Sequence, residues 1–427
     1  MKKMLPVHNK KRVLVVGTTS DYIEWIRTAC PNRALFLTDP EIRKNAQEDS
    51  PTDLEELLIP LNDFNRIKTD LLHHLKTWGQ TLTGVACFDC ESMETAALIA
   101  SEFGLIYPDL CAIRNCRDKY VSKQLWQKNN IPCPLTAAVN SVDDVARFLD
   151  LRQKQVVLKP FFGSGSELVF RCKTLDDCKK AFMTIKAGLK RRCENPLFKK
   201  TSSQDDLMLA EEFLDGPEYS CDFIIENNVV TIIRLTRKIK PDNRPFGTVS
   251  GYVIPSDLPE HTDKAHLENI LLNSAKCLGI RRGLCMVDFI INDYQPVLIE
   301  MTPRPGGDCL PFLLKEAGNL DILKLTLDFA EKKPLGLNGT THFTPHIGIR
   351  LHAHKAGVLK RFNTDLLQNE KRIKKIHFTR KPGHIITMPP DDYDSWFLGH
   401  MIIAPDHKQY PETQCFLIGK RLGVEIE

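Results

Sequence analysis

Two acids, Asp288 and Glu300, stand within two strongly apolar stretches, 283–291 and 297–300, that read as a hairpin turning at Asn292-Asp293. Carboxylates facing each other across a buried hairpin repel. A hard divalent cation removes that conflict, and Mg²⁺ takes one or two carboxylates together with phosphate oxygens. A register that turns one acid outward is the alternative. Upstream, Val156-Val157-Leu158-Lys159 is a strand that delivers a lysine to a turn containing Gly163, Ser164, Gly165 and Ser166. Such a turn lets backbone N–H groups approach phosphate oxygens, with Lys159 as a point charge, although a plain hairpin turn fits equally well. No Gly-Lys-Ser/Thr closes it, so it is not a Walker loop.

Between these stations lies Glu211-Glu212-Phe213-Leu214-Asp215-Gly216-Pro217-Glu218. Alternation hides Glu211 or Glu212 on a sheet face, where a carboxylate needs a partner. A base amino group or ribose hydroxyls are such partners, with Phe213 and Leu214 packing the ring; an acidic strand end facing water is the plainer alternative. After the hairpin, Pro303-Arg304-Pro305-Gly306-Gly307-Asp308 sets an arginine fork, suited to a carboxylate or acyl phosphate, in a stiff turn.

The elements that must hold these residues follow from periodicity. Strand-like 12–16, 34–37 and 82–88 alternate with helix-like 21–29, 63–78 and 91–103, which predicts a parallel sheet with helical crossovers. The turn after the first strand has one glycine, Gly17, where a dinucleotide fingerprint needs three. One helix is expected over 115–129 and another over 262–278. Strands over 207–213, 219–225 and 229–235 are expected in one antiparallel sheet, and the basic stretch 190–204 as a solvated excursion. Beyond Pro334, strand-like pieces at 348–352, 384–388 and 400–404 predict a separate small α+β unit, with His352 and His354 sharing a strand face.

The chain has 427 residues, enough for two or three cores. A net charge of +4 gives no basis for a nucleic-acid partner. No apolar run reaches membrane-spanning length, and the basic N-terminus runs into a strand, so a cytoplasmic protein without a membrane partner is expected. The 14 cysteines read as buried thiols, Cys87 and Cys90 included, since no second metal-ligand pair follows.

In this order the four stations resemble the ATP-grasp superfamily, and within it the carboxylate–amine ligases, including the L-amino acid ligases that form dipeptides. The resemblance implies an α/β and α+β multidomain chain: a Rossmann-like pre-ATP-grasp domain over 1–114, an ATP-grasp domain over 115–334, and a C-terminal α+β ligase domain over 335–427. The ATP-grasp domain would divide into a lid at about 135–212 and a large part at about 213–334. It implies that Lys119 and Lys159 meet ATP phosphates, that Ser164, Gly165 and Ser166 close over them, and that Glu211 meets the adenine amino group. The backbone of Glu212, Phe213 and Leu214 would line the ring edge and Glu218 the ribose. Asp288, Glu300 and Thr302 would hold Mg²⁺, or Mn²⁺ in its place, while Arg304 meets the acyl phosphate or carboxylate and Lys238 a phosphate. Thr302 replaces the asparagine usual in the family, and 248–255 lacks the family's acidic residue and Gly-His pair, which bears on the acceptor pocket. The expected chemistry is ATP-dependent activation of a small carboxylate and its transfer to an amine, giving ADP and phosphate, in a chain for which a homodimer is a common assembly. A carboxylase-like or phosphotransfer activity, or nucleotide binding without turnover, are the rivals.

Overall fold

The structure is a computed structural model and describes residues 10–44, 46–152, 155–192, 208–241, 244–337 and 342–427; positions 193–204 of the expected basic excursion lie outside the described residues. Four parallel strands, β1 (Lys11–Val16), β2 (Ala34–Thr38), β3 (Glu56–Leu58) and β4 (Thr81–Cys87), lie in the order β3-β2-β1-β4. Helices bury both faces, which is why β1 reads as an unbroken apolar run. Leu14 and Val16 pack with Ile67 and Leu71 of the helix Phe64–Trp78. Val13 and Val15 pack with Ile23 and Ile26 of Ser20–Ala29, and with the helices Leu310–Gly318 and Ile322–Ala330. At the single-glycine turn, the Thr18 N–H donates to the Asp89 carboxylate at 2.6 Å.

The helix expected over 115–129 is two, Leu110–Arg117 and Lys119–Lys128. Asp118 separates them because its extended backbone and its carboxylate, accepting from the Tyr120 and Val121 N–H groups at 2.9 and 3.0 Å, start a new helix.

A second, antiparallel sheet holds β5 (Thr136–Val139), β6 (Val156–Pro160), β7 (Phe170–Cys172) and β8 (Met208–Glu212) in the order β5-β8-β6-β7. Val156, Leu158, Met208 and Ala210 pack against the helices Val142–Arg152 and Leu175–Arg191, so alternation sends Lys159 and Glu211 to the opposite face. β8 therefore does not share a sheet with the next two strands as expected. The turn at Asp215-Gly216-Pro217, with Gly216 at φ 141°, carries the chain out of this sheet.

The chain then lays down β9 (Glu218–Glu226), β10 (Val229–Ile239), β11 (Gly251–Ile254), β12 (Gly283–Asn292), β13 (Gln295–Thr302), β14 (His346–His352), β15 (Gly357–Asn363), β16 (Ile373–Phe378), β17 (Ile385–Ile386), β18 (Phe397–Ile403) and β19 (Gly423–Ile426). Eight of these form one antiparallel sheet, β13-β12-β9-β10-β11-β14-β18-β16, and three form β17-β15-β19. Beyond position 335, β14, β18 and β16 thus extend the central sheet through the pairing of β11 with β14, with Tyr252 opposite Gly348, and are not a separate unit as expected. One face of this sheet, with Tyr219, Cys221, Phe223, Val287, Phe289 and Met301, packs on the helix Lys264–Cys277. Parity then commits Glu218, Ser220, Asp222, Asp288, Glu300 and Thr302 to the other face, toward the second sheet.

Candidate active site

Two cavities share a wall between the second sheet and the central one. The first, about 130 Å³, is lined by Lys119, Lys159, Ser164, Gly165, Ser166, Glu211, Glu212, Phe213, Leu214, Glu218, Lys238, Asp288 and Glu300. The second, about 210 Å³, shares Lys119, Lys238, Asp288, Glu300 and the 163–166 turn, and adds Thr302 and Arg304. Every ATP, metal and substrate residue that the resemblance implied thus lies on one of the two cavities.

At the seam, Asp288 and Glu300 are register partners across β12 and β13. The pairing shifts between Asp288 and Phe289, leaving Ile299 as the extra residue. The extra residue turns its carbonyl to the ammonium of the buried Lys123, which also donates to Leu298 O at 3.0 Å. Burial lowers the Lys123 pKa to about 8. Burial also raises Glu300, but Lys119, Lys238 and Lys159 outweigh it and hold its carboxyl below the usual range. Burial raises Asp288 although Lys238 bonds its Oδ2 at 2.5 Å. Asp288 Oδ1 is buried with no hydrogen-bond partner among the described residues.

On the side of the first cavity, Lys159 pairs with Glu211 at 2.6 Å, and Lys123 lies 3.9 Å from the same carboxylate. Lys119 donates to Gly163 O at 2.7 Å, and Tyr120 stacks on Phe161, so the helix start supports the glycine turn. Gly163 and Gly165 have φ of 114° and 66°, which explains the two glycines, and Ser166 follows at 61°. Lys238 and Lys240 both bond Glu218; burial pushes that carboxyl up, and the two lysines bring it down to about 2.

On the side of the second cavity, Arg304 directs Nε and Nη2 to Cys90 Sγ at 3.2 and 3.1 Å, and Nη1 to Pro305 O at 2.8 Å. Arg350 Nε lies 2.5 Å from Asp308 Oδ2, and Arg117 and Tyr252 complete the lining. His352 is packed on Trp396 and held neutral, its pKa driven well down by burial. It does not share a strand face with His354, because β14 ends at His352.

Sequence reasoning gave no role to Lys123, Asp222, Arg234, Lys240, Asp308 or Arg350. Lys123 had a signal, four residues after Lys119 on one helix face. Arg350 had none, since its place depends on β14 joining the central sheet.

Residues 152–311 match the ATP-grasp domain family. These residues form an ATP-grasp domain. The sequence is similar to the D-alanine–D-alanine ligase of Aromatoleum aromaticum, 27% identical over 51% of this chain and 67% of that enzyme. It is also similar to that of Acidovorax ebreus, 24% identical over 47% of this chain and 57% of that one. The chain thus spans about three fifths to two thirds of these relatives' length. In fold, the L-amino acid ligase from Bacillus licheniformis superposes with a TM-score of 0.77 at 19% identity, covering 98% of this chain and 99% of that one. N5-carboxyaminoimidazole ribonucleotide synthetase from Thermotoga maritima gives 0.67 at 17% identity, covering 98% and 100%. The likeness in fold therefore extends over 98% of the chain, N-terminal parallel sheet included. Among the described residues no helix is long and apolar enough to cross a membrane.

Proposed function

We propose that this chain is an ATP-dependent carboxylate–amine ligase, acting on amino-acid-like substrates and forming ADP and phosphate. The observation that carries it is the register pairing of Asp288 with Glu300 at the seam of two cavities, with Lys119 and Lys238 beside them. One cavity suits a nucleotide, and the other opens onto an arginine fork.

The orphaned Asp288 Oδ1 and the all-oxygen donor set fit a hard divalent ion, Mg²⁺ or Mn²⁺, held by Asp288 and Glu300 with Thr302. When bound, that ion supplies positive charge to the phosphate oxygens. Lys119, Lys159 and Lys238 add theirs from the protein, so catalysis of the phosphoryl transfer is mainly positioning and electrostatics. Glu211, the 212–214 backbone and Glu218 receive the base and ribose. Arg304 orients the substrate carboxylate for in-line attack on the γ-phosphate and then steadies the acyl phosphate. The amine displaces phosphate and forms the amide. The 163–166 turn excludes water meanwhile.

The test is ADP and phosphate formation from Mg-ATP with paired amino acids. Pair-dependent release with ADP is expected, and Glu300→Ala should lower it about 10³-fold, the scale of losing several kcal/mol of transition-state charge stabilisation. AMP as product, or release from Mg-ATP that no acid or amine stimulates, sinks the proposal.

A further inference from the structure

Beneath the second cavity lies a charged pair with no place in the chemistry just described. Arg234 on β10 is 1% exposed and Asp222, its register partner on β9, 0%. The guanidinium gives Nε and Nη2 to the two Asp222 oxygens at 2.7 and 2.9 Å. Nη1 reaches Ser220 O at 2.9 Å and Thr236 Oγ1 at 2.7 Å, and Nη2 also reaches Ser220 Oγ at 3.2 Å. All five N–H donors of the arginine therefore have an acceptor inside the protein.

A buried ion pair is a poor device for stability alone, because desolvation cancels most of the attraction and well-packed apolar residues do as well. Its value lies in fixing one geometry. Here the geometry has a reader: Asp222 Oδ1 accepts the Gly306 N–H at 2.9 Å. A Cβ on Gly306 would lie 2.3 Å from Arg234 Nη2, so the 303–308 turn sits directly on the guanidinium. Arg304 is two residues before this anchor, and its other contacts are the Cys90 thiol and its own turn.

We propose that the Asp222–Arg234 pair is a positioning element that sets where the 303–308 turn, and with it the Arg304 fork, stands relative to Asp288 and Glu300. The part of this that concerns substrate rests on the ligase function proposed above. The anchoring of the turn does not. Arg234 and Asp222 are positioning residues, acting through Gly306 and the turn.

Hydrogen exchange read by mass spectrometry, on the full chain without ligand, judges the anchoring directly. In Arg234→Lys, which keeps the charge but not the fork, amides of the 303–309 peptide should exchange at least about tenfold faster. Those of the 283–302 hairpin should not change, and Mg-ADP affinity should stay within about twofold. Acid-dependent ADP formation should fall at least about tenfold, mostly as a rise in KM for the acid. Thr236→Val, which trims one of the five bonds, should give the same pattern more weakly, and it serves if Arg234→Lys does not fold. An unchanged 303–309 peptide, or loosening spread over the whole central sheet with loss of Mg-ADP binding, overturns the inference. If wild-type protein forms no ADP with any acid, the ligase proposal fails, while the exchange data still decide the anchoring.

Discussion

The two cavities meet over the same carboxylates but are built in opposite ways. Around the first, charges are already neutralised inside the protein: Lys159 on Glu211, Lys238 and Lys240 on Glu218. These pairs come from two neighbouring sheets and from residues within about one stretch of chain. Around the second, the wall draws on positions from 90 to 350, and the central guanidinium rests on a thiol. A thiol is a weak acceptor, and a carboxylate forms a stronger, charge-assisted fork with the same arginine. The first cavity is thus a fixed frame for one ligand, and the second keeps its recognition group free to be claimed by a substrate.

That contrast predicts opposite kinetic signatures. Arg304→Lys keeps the charge and loses the fork, so kcat/KM for the acid should drop about 100-fold, a loss of the size expected when a charge-assisted bidentate pair is broken. KM for ATP should stay within about twofold. Lys159→Met should do the reverse, raising KM for ATP at least about tenfold, because it removes a phosphate charge and leaves Glu211 buried without its 2.6 Å partner. Steady-state kinetics with each substrate varied in turn separates the two. If Arg304→Lys weakens ATP as much as the acid, the cavities are not independent sites.

The same asymmetry governs what the sequence disclosed. Lys159, Glu211, Asp288 and Glu300 are polar residues in apolar, alternating strands, which marks them as candidates, and the structure decides between the alternatives by burying Glu211 on Lys159 and pairing both hairpin acids. The hairpin carrying Asp288 and Glu300 turns where Asn292-Asp293 indicated, and its register brings the two acids opposite. The Asp222–Arg234 pair was hidden because an aspartate and an arginine twelve residues apart become partners only through the β9–β10 register, which shifts between Ile232 and Arg234. The continuation of the central sheet past position 335 was hidden for a similar reason. Nothing local in β14 says that it will pair with β11, almost a hundred residues earlier.

The frame around the first cavity has a second support. At the end of the helix Leu175–Arg191, Arg191 bonds Asp391 at 3.0 Å, and Arg192 bonds Glu167 at 3.0 Å and the Asp391 carbonyl at 3.0 Å. Tyr393 packs on the apolar core of the second sheet. The 389–394 segment thereby braces the sheet that carries Lys159. Loss of the Arg192 contacts in Arg192→Ala, with the Arg191–Asp391 bond kept, should raise KM for ATP about threefold, in line with the modest worth of such pairs, and leave KM for the acid unchanged. A change in the acid's KM alone would place the brace on the wrong cavity.

Behind the second cavity the support is aromatic and titratable. His400 on β18 packs on Phe312 at 4.4 Å between ring centres, and His377 lies 5.1 Å away with Asp21 at 3.5 Å. Burial, then His377, Lys375 and Arg350, push the His400 pKa from 6.5 down to about 3, so the folded protein keeps this imidazole neutral. The unfolded chain takes up the proton near the ordinary value. Folded pKa below unfolded pKa, for a base, means the stability is complete above about 6.5 and is lost as pH falls below it. From pH 7.5 to 5.5 the loss from this one group is about 1.4 kcal/mol. Urea unfolding of His400→Phe across that range should show a pH slope smaller by that amount, with the kinetic constants at pH 7.5 little changed. An identical slope in the variant would mean that His400 does not carry the acid sensitivity of this wall.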